Sequence, residues 1–162
     1  MDMFESNPNL IIGIAVGIFA GLGLAYLVVW SVKRQAKLVQ QHIDKYNLSL
    51  SETATALLVS NKLVVIFDQS ELIVSDISQA APERISYSEI ESVRTEWQKL
   101  TEKHLVTVKT KAGQDNSYRV LQAYHYGFTG QQPKKQKEAV IITEPVRERL
   151  ESAGVAVEVV AS

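Results

Sequence analysis

One stretch constrains this chain more than any other. Leu10–Val32, LIIGIAVGIFAGLGLAYLVVWSV, is a run of 23 residues with no charge and one aliphatic hydroxyl, Ser31. Coiled as a helix at 1.5 Å per residue it reaches about 34 Å, enough to cross a hydrocarbon core of about 30 Å. It offers no polar face of the kind a helix on a water-exposed domain needs. The expectation is a single transmembrane helix. A cleaved signal peptide fits less well, because the start, MDMFESNPN, carries Asp2 and Glu5 and no basic residue. The cations Lys33, Arg34 and Lys37 follow the run instead, which predicts an inner-membrane, single-pass anchor with the N-terminus outside and the C-terminal domain cytoplasmic.

Local chemistry refines that expectation. Asn7 and Pro8 suit the cap and first position of a helix. Tyr26 and Trp30 lie toward the basic end, where amphipathic aromatics favour the headgroup level. Gly13, Gly17, Gly21 and Ala25 recur every fourth residue and stack on one face, where a second helix can approach closely. That face is a candidate for self-association or docking on a partner helix. The alternative is that glycine is simply common in membrane helices.

Four segments follow from this reading: residues 1–9 as a short extracytoplasmic N-terminus, 10–32 as the span, 33–50 as a juxtamembrane helix or linker, and 51–162 as one small cytoplasmic domain. In 33–47, Val39, Ile43 and Tyr46 fall at helical spacing, with His42 read as a solvated helix residue. From Ser51 the pattern becomes β-like. Thr53–Val59 and Lys62–Phe67 flank the turn Ser60-Asn61, and Glu71–Val74 adds a third strand. Ser88-Glu89-Ile90-Glu91 matches a capping box, predicting one helical turn over 88–92 that runs into a strand at 93–98.

His104–Lys111 and Ser117–Ala123 form the clearest hairpin, with Val106, Val108, Tyr118 and Val120 on one face. A long loop, YHYGFTGQQPKKQKE, occupies 124–138. Thr143 and Pro145 open a helix lined by Val146, Leu150 and Ala153 and closed by Gly154, and Val155–Val160 alternates around Glu158 as a final strand.

The hairpin LVVIFDQSELIVSD, the segment ISYSEIESV and the hairpin HLVTVKTKAGQDNSYRVL together resemble a bacterial pleckstrin-homology-like domain of the GRAM type. The resemblance covers residues 53–123, with 144–153 as the helix that plugs one end of the barrel. It implies a small β-rich α+β domain, a PH-like barrel or sandwich with a C-terminal helix, of a kind that binds lipid headgroups, peptides or partner proteins.

No chemistry-bearing motif accompanies this pattern. The chain has no cysteine, which removes disulfides, thiolate metal sites and cysteine nucleophiles. Its three histidines show no metal-ligand spacing, and no nucleophile elbow or phosphate-binding loop is present. With 17 basic and 18 acidic residues the chain has no nucleic-acid footprint. The expectation is therefore a non-enzymatic module without cofactor or metal, holding a protein or anionic-lipid partner at the cytoplasmic membrane face. Candidate contact residues are Lys109, Lys111, Lys134, Lys135 and Lys137 with Tyr126 and Phe128. The alternative is a structural subunit of a membrane complex assembled through the small-residue helix face. In either case the expected partners are the lipid bilayer and a protein or second copy.

Overall fold

A computed structural model describes residues 8–125 and 141–160, apart from the side chains of residues 8–19 and of Val32. The chain divides into two units, Met1–Lys37 and Leu38–Ser162. Helix α1 (Pro8–Lys45) makes up the described part of the first unit, and its last two turns belong to the second.

In the first unit, Ala20–Ser31 are all exposed, Leu22 at 62 % and Trp30 at 50 %. Arg34 lies over the Trp30 ring, 5.4 Å from its centroid. The membrane expectation is corrected here: among the described residues no helix is long and apolar enough to cross a membrane. Charged residues follow from Lys33 onward. The single-pass topology and inner-membrane location inferred from those flanking charges fall with the span.

The second unit contains two sheets. Strands β1 (Thr55–Leu58), β2 (Leu63–Phe67), β3 (Glu71–Asp76) and β4 (Glu83–Ser86) form an antiparallel meander, joined on its β1 side by β8 (Gln122–His125). Strands β5 (Ile90–Gln98), β6 (Lys103–Thr110) and β7 (Asp115–Val120) form the second sheet, and β9 (Ala156–Val160) pairs parallel to β5 at its edge.

Continuous apolar runs, rather than alternating ones, build β1 and β2, and the reason is burial on both faces. Leu57, Val65, Phe67, Leu72 and Val74 turn toward Val93, Val106, Val108, Tyr118 and Val120 of the second sheet, with Val146 and Leu150 of helix α2 (Glu144–Ser152) in the same core. Ala56, Leu58, Val64, Ile66 and Ile73 share a second cluster with Val39 and Leu48 at the end of α1.

Both helices end alike. The Leu48 amide donates to the Ile43 carbonyl at 2.9 Å and Asn47 takes φ 47°. The Val155 amide donates to the Leu150 carbonyl at 2.9 Å and Gly154 takes φ +80°. Each reverses the chain through a left-handed residue and buries the apolar residue that follows, Leu48 or Val155.

The expected architecture, a transmembrane helix carrying a PH-like barrel closed by a terminal helix, gives way to a small α+β domain of two sheets and two helices. Gly154 returns the chain into β9, so a strand and not a helix completes the second sheet. The capping box also moves. Ser86 caps a 3-10 turn, Tyr87–Glu89, and its amide donates to the Glu89 carboxylate at 3.1 Å, so β5 starts at Ile90.

Candidate interaction surface

The ionisable side chains inside the domain serve its packing. His42 is fully buried, not solvated as its polar neighbours in sequence suggest. Its Nδ1 lies 2.7 Å from Ser75 Oγ on β3. Burial pushes its pKa below the usual histidine range; Asp76 and the main chain at Ser75 and Asn61 oppose that shift, while Lys45 adds to it. Lys45 donates to the carbonyls of Ile77 and Gln79, and the Tyr46 hydroxyl donates to Asp76 O at 2.6 Å, tying the end of α1 to the loop after β3. Asp76 is itself held below the ordinary carboxylate range by the Ser78 hydroxyl and amide.

His125 Nδ1 lies 3.1 Å from Thr55 Oγ1 across the β1–β8 pair, and burial lowers its pKa. His104 packs edge-on against Trp97, ring centroids 4.7 Å apart, and burial lowers its pKa too. The Tyr87 hydroxyl donates to Asp68 O at 2.6 Å, and burial raises its pKa strongly. The Asp68 carboxylate receives the Ser51 amide at 2.9 Å, and Arg149 of α2 donates to Thr53 Oγ1. Among the described residues no group of three or more His, Asp or Glu side chains could hold a metal ion.

The outer surface of the second sheet is built differently. The alternation of β5, β6 and β7 points Arg94, Thr107, Lys109 and Arg119 away from the core. Lys109 Nζ lies 2.9 Å from Glu91, and this bond holds the lysine pKa above its ordinary value. Arg94 lies between Glu96 at 3.5 Å and Glu158 at 3.8 Å.

The sheet ends on β9. Its sequence, AVEVV, places Val157 against the core and leaves Val159 65 % exposed. Among the described residues no strand pairs with the outer side of β9. The β7 edge carries Asp115 and Arg119, and the short β4 edge carries the Arg84–Glu71 ion pair, so both have the charges that discourage strand addition. On β9 the only charge is Glu158.

Of the contact residues expected from sequence, Lys109 and Lys111 lie among the described residues. Lys109 is paired with Glu91, and Lys111, just beyond β6, is exposed and has no ion-pair partner among the described residues. Tyr126, Phe128, Lys134, Lys135 and Lys137 lie outside the described residues, as do the surroundings of Gly13 and Gly17. A side chain added at Gly21 would meet nothing within 4 Å, and Ala25 is exposed. Sequence reasoning missed two features. His42 sits three residues after Val39 and four before Tyr46, a spacing that places it on their apolar face. The alternation of Val155–Val160 was legible as a strand, whereas its pairing with β5 carries no local signal.

No family model matches the chain, and no curated protein matches it. Function therefore rests on the geometry of its own residues.

Proposed function

We propose that this chain is a non-enzymatic protein-binding module that takes an extended segment of a partner protein at the edge of its four-stranded sheet. The observation that supports this is β9: an apolar edge strand whose outer side has no strand partner among the described residues. Alternate residues of an edge strand turn their N–H and C=O groups outward, and an added strand satisfies them while side-chain pockets supply selectivity.

A displayed library of peptides selected against the full-length chain tests the reading. A recurring sequence pattern that also competes as a free peptide is the expected result. Selection that converges on no pattern overturns it.

A further inference from the structure

We infer that the segment taken by β9 is basic, an extended peptide in which a lysine or arginine stands opposite Glu158 between apolar neighbours. This rests on the protein-binding reading and names the chemistry of the partner.

Three features carry it. Val157 packs against the core, and Val159, two residues on and on the same side of the strand, is 65 % exposed. An apolar side chain on an added strand would cover Val159 and extend the buried layer outward. Glu158 points to the other face, where its side chain is 63 % exposed and its one described ion pair is Arg94 at 3.8 Å. Arg94 is shared with Glu96 at 3.5 Å, so this corner of the outer face holds two carboxylates and one cation. A cation directly across from Glu158 balances that excess, and opposite charges in directly opposed positions stabilise a strand pair.

The same geometry disfavours a second copy as the occupant. A two-fold antiparallel pairing that uses all of Ala156–Val160 sets Ala156 opposite Val160, Val157 opposite Val159, and Glu158 opposite Glu158. Like charges in that position destabilise the pair. A basic segment from another protein meets no such conflict.

The test uses two synthetic probes against the full-length chain, one alternating valine with lysine and one alternating valine with glutamate. Binding is followed by fluorescence anisotropy and by amide hydrogen exchange. The lysine peptide binds more tightly, weakens as salt is raised, and protects amides within Ala156–Val160. Glu158→Lys weakens the lysine peptide about five- to tenfold and strengthens the glutamate peptide, because the cross-strand pair changes sign. Glu158 is exposed, so the substitution leaves the core untouched.

Equal affinity for the two probes, or protection at another edge, overturns the basic-segment assignment and leaves the protein-binding reading standing. A chain that sediments as a dimer in which amides within Ala156–Val160 are protected makes a second copy the occupant and likewise overturns it. Failure of both probes to bind at any edge overturns the assignment and the reading together.

Discussion

Acid should loosen the domain through His42, and the size of the effect follows from linkage. In the unfolded chain the ring takes its proton at about 6.5; in the folded chain burial holds that pKa lower. Above pH 6.5 both states are neutral at this site, and the histidine contributes no pH dependence. As pH falls below 6.5 the unfolded state binds a proton that the folded state refuses. Stability then declines by at most about 1.4 kcal/mol per pH unit for this one group, until the folded pKa is reached.

His42→Leu removes the titration but strands the Ser75 hydroxyl, which costs roughly 1–3 kcal/mol at every pH. The double variant His42→Leu/Ser75→Ala removes both polar partners and restores most of that loss. Urea unfolding of the wild type and the double variant at pH 7.5 and pH 5.5 measures the difference. The wild type should lose more stability between the two pH values than the double variant, by up to about 1.4 kcal/mol. Equal pH dependence in the two proteins would refute the assignment of this proton to His42.

Two further substitutions test the packing. Leu150→Ala opens a void where α2 meets the main core and should cost about 2–5 kcal/mol, read from the urea midpoint. Gly154→Ala places a side chain at φ +80° where its Cβ meets no neighbour, so the cost is conformational alone, about 1 kcal/mol in the same assay.

What the sequence makes legible here is local. The β6–β7 pairing and its facing residues appear because alternation and turn chemistry act within a few residues, and Val106 does oppose Tyr118; the expected strand Ser117–Ala123 is instead divided, with β7 ending at Val120 and Gln122–His125 crossing to the other sheet. Helix α2 carries its own start at Thr143 and Pro145 and its own stop at Gly154. The capping box was displaced by two residues because Ser86 and Ser88 both precede a glutamate by three, and only the packing of Tyr87 decides between them. Long-range pairing left no comparable trace. Nothing near β9 announces β5 as its neighbour, and nothing near His42 announces Ser75. For a related reason Lys109 looks available in sequence, yet Glu91 approaches it from the adjacent strand.

The apolar face of β1, β2 and β3 that meets Val39 and Leu48 has a consequence for how this domain can be cut. The composition changes from helical to β-like at Ser51, which invites a fragment starting there. Such a fragment would lose Val39, His42, Tyr46 and Leu48 together and bare Ala56, Leu58, Val64, Ile66 and Ile73 to water. A bared apolar sheet face is a surface on which unfolded or partly folded chains associate. The smallest piece that keeps both faces covered begins no later than Leu38, thirteen residues before the change of composition that would tempt a cut.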